Sequence, residues 1–285
     1  MTKPLFMWAG GKNKMLKHYE RYLPTSLFNV ESYCEPFFGG GAMFIYMMKN
    51  CNLTYARIND INSDIISIYK SIRDNYDEFT NRVNELEEQY LPLSKDDRKK
   101  LYFDIRHKHA YDFESWSKPV ESATLYFLMK TGFNGIFQIN KNTNGRYGTP
   151  AGLLNQTDKV YDREVVKWWH DALQITDIMS VDWKEAVQDC PEKTFFFFDP
   201  PYRESFADYG KGFTDEQLIE LIEFCDQQSH VMLANRDDSN WFAEQNHSLQ
   251  QDHFDVFYTA GRRKKTEDGH EAKKAREILL YRTPY

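Results

Sequence analysis

Apolar residues at Met15, Leu16, Tyr19 and Leu23 recur at helical spacing and predict a helix over Lys12 to Leu23. Val30 to Cys34 and Tyr55 to Asn59 are short runs of strand composition, with a helical pattern beginning near Gly41 between them. This alternation predicts a parallel α/β sheet. From Asp64 to about Lys130 the spacing is helical throughout, under charged faces such as NRVNELEEQY and LSKDDRKKLYFDIRHKHAYDF. The stretch GFNGIFQINKNTNGRYGTPAG, rich in Gly, Asn and Thr, then predicts loops and a hairpin. Sheet text returns with a strand over Thr194 to Phe198, a helix over Asp215 to Gln227, a strand over His230 to Ala234 and a helix over Asp238 to Gln245. Phe254 to Thr259 and Glu277 to Arg282 predict an antiparallel pair around a basic segment. The chain therefore reads as an α/β domain in two parts, residues 1–64 and 158–285, split by an inserted helical domain over 65–157.

Composition narrows this picture. Of 285 residues, 41% are hydrophobic and 16% aromatic, enough apolar surface for a substantial core. No apolar run approaches the roughly 20 residues that span a bilayer, and the apolar part of MTKPLFMWAGGK is too short for a secretory signal, so a soluble intracellular protein is expected. Cys34, Cys51, Cys190 and Cys225 form no C-x-x-C pair, which argues against a zinc site and a disulfide framework. His107 and His109, two residues apart, do not share a helix face, so they read as exposed helix and not as metal ligands. The net charge is −7, so any contact with nucleic acid must be local. GRRKKTEDGHEAKKAR is locally basic and fits either a solvated hairpin or a phosphate-binding edge.

The candidate chemistry lies at strand ends. Thr194 to Phe198 has the length and aromatic content of a strand buried on both faces, and the prolines of FFFFDPPY stop it because they cannot donate ladder hydrogen bonds. Asp199 then falls at the carboxyl end of a central strand, where open α/β sheets bind ligands, although Asp-Pro also serves as a turn initiator. A rigid Asp-Pro-Pro-Tyr suits an exocyclic amine on a flat ring: Asp199 and the Pro200 carbonyl accept its two N–H groups, and Tyr202 offers a stacking face. Such orientation needs no metal. In VESYCEPFFGGGAMF a strand runs through a glycine turn into a helix, a place where backbone approaches a small ligand closely. Neither this stretch nor AGGKNK has the spacing of a dinucleotide fingerprint or a P-loop. Asp60, after the second strand, is placed to hold ribose hydroxyls, while Asn59, Asp60 and Asn62 are all possible caps for the helix starting near Ser63.

PLFMWAGGKNKML, CEPFFGGGAMF, IND, an insertion and DPPY, in that order, closely resemble the Dam-like class of DNA adenine-N6 methyltransferases, over a span from Phe6 to REILLYRTP. The resemblance implies an S-adenosylmethionine-dependent enzyme on a Rossmann-like methyltransferase sheet with an antiparallel C-terminal strand, acting in the cytoplasm of a bacterium or a phage-infected cell. By the family pattern Trp8, Ala9, Gly10 and Lys12 form the N-terminal cofactor motif, Glu35, Phe37, Gly39 and Gly41 the glycine-rich one, and Asp60 the ribose contact. Asp199, Pro200 and Tyr202 take an adenine extruded from double-stranded DNA, with Asp199 also bordering the cofactor. Lys12 alone would read as a surface lysine; the matched WAGGK context assigns it to the site. The resemblance gives the grip on DNA to the inserted helices, to Phe133, Asn134, Gln138, Asn140 and Arg146 in the loop, and to Arg262, Arg263 and Lys265 in the basic hairpin. Phe133 matches the family's aromatic that fills the space around a displaced base, and it also reads as a core plug before a tight turn.

GATC-reading members carry a lysine where this chain has Met7 and an arginine where it has Gln138, so a target other than strict GATC is expected. Methylation of N4 of cytosine uses the same amine chemistry, but that motif usually begins with Ser. A DNA-binding relic without turnover is the reading from another class, and intact motifs argue against it.

Overall fold

In chain order, a short helix α1 (Leu16–Tyr19) precedes strand β1 (Ser32–Glu35), helix α2 (Ala42–Asn50) and strand β2 (Tyr55–Asn59). Helices α3 (Ser63–Asp74), α4 (Tyr76–Tyr90), α5 (Lys95–Tyr111) and α6 (Lys118–Thr131) follow, then a ribbon of β3 (Ile139–Asn140) and β4 (Arg146–Tyr147). Helix α7 (Arg163–Ala172), β5 (Thr176–Met179), α8 (Trp183–Ala186) and β6 (Phe195–Phe198) lead back to the sheet. Helix α9 (Asp215–Asp226), β7 (Val231–Arg236), β8 (Gln250–Tyr258), β9 (Lys264–Thr266), β10 (Gly269–Glu271) and β11 (Lys273–Arg282) complete the chain. This computed structural model describes all residues except 1, 9, 13–14, 25–29, 204–212, 238, 259–263, 267–268, 272 and 284–285, and gives the backbone alone for 257–258, 264–266, 269–271 and 273–274.

Seven strands form one sheet in the order β5-β2-β1-β6-β7-β11-β8. The first five are parallel, and β11 runs antiparallel to both β7 and β8. The chain lays β2 and β5 on one side of β1 and then β6 and β7 on the other, so the winding reverses between β1 and β6. At such a reversal the carboxyl ends of the strands leave a crevice for ligands.

The FFFF run shows why the sheet is covered on both faces. Phe195 and Phe197 join the core cluster of Tyr33, Ala234 and Leu279, whereas Phe196 and Phe198 join that of Leu233, Ile278 and Trp183, as the two-residue strand period requires. The first cluster continues without a break through Phe79, Tyr90, Tyr102 and Phe127, so α4, α5 and α6 share a core with one sheet face.

Several expectations are corrected. Among the described residues of the helix expected over Lys12 to Leu23, α1 and a 3-10 turn, Glu20–Tyr22, are formed, and Lys12 is drawn into the interior ahead of them. Only a 3-10 turn, Trp241–Glu244, stands where a helix from Asp238 was expected, and it opens on Asn240 in the left-handed region. His109 is fully buried, not on an exposed helix face; two residues away, His107 points outward over the Tyr111 ring. Burial, with Arg146 nearby, pushes the His109 imidazole down to about 4, so it is packed as a neutral ring. Strand β5 and helix α7 were not foreseen.

Candidate active site

The glycine turn after β1 is built against the N-terminal segment. Gly39 has φ +51°, and a Cβ there would come within 2.6 Å of the Trp8 indole; at Gly41, φ +68°, it would meet Phe38 and Trp169 at 2.7 Å. Only glycine accepts both the left-handed backbone and the close approach. Trp8, whose carbonyl accepts from the Gly11 amide at 3.1 Å, thereby brings the WAGGK motif onto the PFFGGG motif. Asp60, just past β2, ties the turn down: one carboxylate oxygen accepts from the Gly39 amide and the other from the Asn62 amide, each at 2.9 Å. The cap of α3 is Asn62, which accepts from the amides of Asp64 and Ile65, so capping does not account for Asp60. Burial pushes the Asp60 carboxyl up to about 6, against the pull of those two amides. Beside it, Ile61 is 71% exposed, an apolar surface that sequence reasoning missed.

The second half of the site follows β6. Lys12 is 3% exposed and donates from Nζ to Asp199 Oδ1 at 2.7 Å and to the Tyr202 hydroxyl at 2.8 Å. The surface reading of Lys12 is therefore overturned. Tyr202 donates in turn to Glu277 Oε1 of β11 at 2.7 Å, and Glu277 Oε2 lies 4.0 Å from Lys12 Nζ. Burial alone would lower the Lys12 ammonium, but Asp199 and Glu277 outweigh it and hold it above its ordinary value. Burial pushes the Asp199 carboxyl up to about 6; Lys12 opposes this and Glu277 adds to it. Glu35, the last residue of β1, is buried and accepts from the Tyr33 hydroxyl at 2.7 Å, and burial raises its carboxyl well above the usual range. Pro200 is buried, Phe37 packs edge-on to Phe198, and Arg203 closes the turn on the carboxylate of Asp215 at 2.9 and 3.0 Å. Glu277 gave no sequence signal, since a charged residue in an edge hairpin reads as solvated.

The loop after α6 meets the N-terminal motif directly. Trp8 and Phe137 have ring centroids 5.9 Å apart, and Met7, 65% exposed, borders Gly135. Phe133 is 47% exposed and so is not a core plug; Asn134 beside it has φ 52°. Gln138 and Asn140 are exposed, the Asn140 side chain accepting from the Asn142 amide within its own turn. Arg146 is engaged inside the protein, paired with Glu121 and stacked 3.5 Å over the Phe113 ring. Gly10 has φ +79° and open space around it. Ala9, Arg262 and Arg263 lie outside the described residues, as does the Lys265 side chain. Among the described residues no group of three metal-ligating side chains occurs, and no helix is long and apolar enough to cross a membrane.

A parallel sheet whose winding reverses between β1 and β6 and which antiparallel β11 and β8 extend has the architecture of a Rossmann-like methyltransferase. The chain belongs to the D12 class N6 adenine-specific DNA methyltransferase family, whose model matches residues 8–273. It is similar to the type II methyltransferase M.MjaIII of Methanocaldococcus jannaschii, at 30% identity over 85% of this chain and 87% of that one. The type II methyltransferase M1.LlaDCHI of Lactococcus lactis subsp. cremoris is 28% identical over 82% and 81%. The DNA adenine methylase of Escherichia coli K12 is 25% identical over 83% and 81%. The activity is accordingly methylation of N6 of adenine in DNA.

Proposed function

We propose that the chain uses S-adenosylmethionine to methylate an adenine turned out of double-stranded DNA, at a target other than strict GATC. The observation that carries this reading is the gathering of Glu35, Asp60 and Asp199 at the carboxyl ends of β1, β2 and β6, with Lys12 bonded to Asp199. The residues fit the cofactor: Gly10 leaves open space where a Cβ would stand, Asp60 offers a carboxylate to ribose hydroxyls, and exposed Ile61 offers an apolar rest for a flat ring. Trp8, Ala9, Gly10, Lys12, Glu35, Phe37, Gly39, Gly41 and Asp60 would hold it, and Asp199 would border it. Bound there, the cofactor supplies an electrophilic methyl group.

The rest falls to the chain. Asp199 and the Pro200 carbonyl accept the two N–H groups of the adenine amine and aim its lone pair, while the Tyr202 ring supports the base. Residues 65–157 act as the target-recognition part, and Met7, Phe133, Asn134 and Gln138 present exposed side chains toward DNA. Asp199→Ala tests the assignment: methyl transfer from labelled S-adenosylmethionine should fall by at least about 100-fold, with cofactor binding retained. Turnover near that of the parent enzyme would overturn it.

A further inference from the structure

Glu277 is 1% exposed, yet it comes from the strand that closes the sheet near the end of the chain, far in sequence from every motif of the site. It lies on the sheet face of Leu279, Phe197 and Tyr19, not on that of Ile278. Its two oxygens are used separately. Oε1 accepts from the Tyr202 hydroxyl at 2.7 Å; Oε2 accepts from the Tyr19 hydroxyl at 3.4 Å and lies 4.0 Å from Lys12 Nζ. Packing does not require a carboxylate in such a place, because an apolar side chain would cost less there.

The chemistry of Asp199 supplies a reason. Lys12 holds Asp199 Oδ1 at 2.7 Å, and that carboxylate must also receive an adenine N–H. A buried ammonium with Asp199 as its sole counter-charge would keep that carboxylate for itself. We infer that Glu277 is a positioning residue for methyl transfer, balancing Lys12 and fixing the Tyr202 ring so that Asp199 can turn its acceptor toward the amine. Among the described residues, the groups facing Asp199 are then Lys12 ahead of α1, Tyr19 on α1, Glu35 on β1, Tyr202 on its own turn and Glu277 on β11, with Arg236 of β7 opposite Glu277 in register. This rests on the assignment of Asp199 and Tyr202 proposed above.

The test is single-turnover methylation of unmethylated genomic DNA with saturating labelled S-adenosylmethionine, from pH 5 to 9, for the parent enzyme, Glu277→Gln, Glu277→Ala and Asp199→Ala. Cofactor affinity by calorimetry and melting temperature are read alongside. Glu277→Gln keeps an oxygen for Tyr202 and removes the charge, so the rate should fall by roughly 3- to 30-fold and the acid limb should move to lower pH, as Asp199 loses a neighbouring negative charge. Glu277→Ala removes both functions and should lose at least about 100-fold in rate, with cofactor affinity within about threefold. Rates within about twofold of the parent for both variants would overturn the inference, as would losses that merely follow melting temperature with an unmoved acid limb. A nearly normal rate for Asp199→Ala would instead overturn the assignment on which it stands.

Discussion

Asp60 shows how a single acid can carry two jobs. Its carboxylate accepts from the Gly39 and Asn62 amides, so the group proposed to hold the cofactor's ribose also fixes the glycine turn. Asp60→Ala is expected to weaken S-adenosylmethionine binding by about 1.5–3 kcal/mol, the loss of a charge-assisted hydrogen bond, as measured by calorimetry. Acidity gives a second prediction, because Asp60 and Asp199 are both pushed up to about 6. The methylation rate should fall about tenfold per pH unit below that point as Asp199 protonates. Acid unfolding would not explain the loss. A carboxyl whose folded value stands above the unfolded one, near about 3.9, adds stability as pH falls through 6 toward 4 and withdraws it as pH rises through 6. His109, held down at about 4, runs the other way and loses stability as pH falls below about 6.5, its unfolded value. These terms offset one another, so the melting temperature should stay within a few degrees between pH 6.5 and 5 while the rate collapses. Residues in local motifs were legible in the sequence, as with Asp199 after its strand. Lys12 and Glu277 were not legible on their own, because the side chains that explain each buried charge are distant in the chain, Asp199 for Lys12 and Tyr202, 75 residues away, for Glu277.

At the scale of elements, legibility followed burial. The strand β6 announced itself because both faces are covered and every position is apolar, and β2 coincided with its expected span. Strand β5 did not, since it is four residues at the sheet edge with an exposed Asp177 paired to Arg57. Helix α7 was missed in spite of an inward row of Val165, Val166, Trp169 and Ala172, because a ten-residue helix between loops has few turns in which to declare its period. The turn between β2 and α3 separates capping from function. Asn62→Ala should cost about 1 kcal/mol through loss of the cap, lowering the melting temperature by about 2–4 °C in a chain of this size, with cofactor affinity nearly unchanged. Asp60→Ala is expected to lower both the melting temperature, through the two amides it leaves unpaired, and the cofactor affinity, so calorimetry on the two variants distinguishes the roles.

On the scale of the whole molecule, a chain with net charge −7 must recognise a polyanion through a limited surface, and the proposed place is where the N-terminal motif meets the loop after α6. Met7 and Gln138 are both exposed there, Met7 against Gly135. An arginine reads guanine with two parallel donors to O6 and N7, whereas a glutamine amide has one donor and one acceptor and matches adenine N6 and N7. Methionine offers apolar contact alone. A neighbouring arginine could have restored the missing donors, but Arg146 is committed to Glu121 and Phe113, which leaves Lys141 as the exposed cation of the loop, a single point charge with no fork. A good bidentate contact contributes about 1–3 kcal/mol of discrimination, so its absence should relax or redirect one position of the target by roughly five- to a hundredfold. Gln138→Arg should accordingly raise the preference for guanine at one position flanking the methylated adenine, without altering the acid limb set by Asp199. Mapping N6-methyladenine on unmodified genomic DNA after treatment with the parent enzyme and the variant checks both statements. Complete methylation confined to GATC by the parent enzyme would show that Met7 and Gln138 do not set specificity.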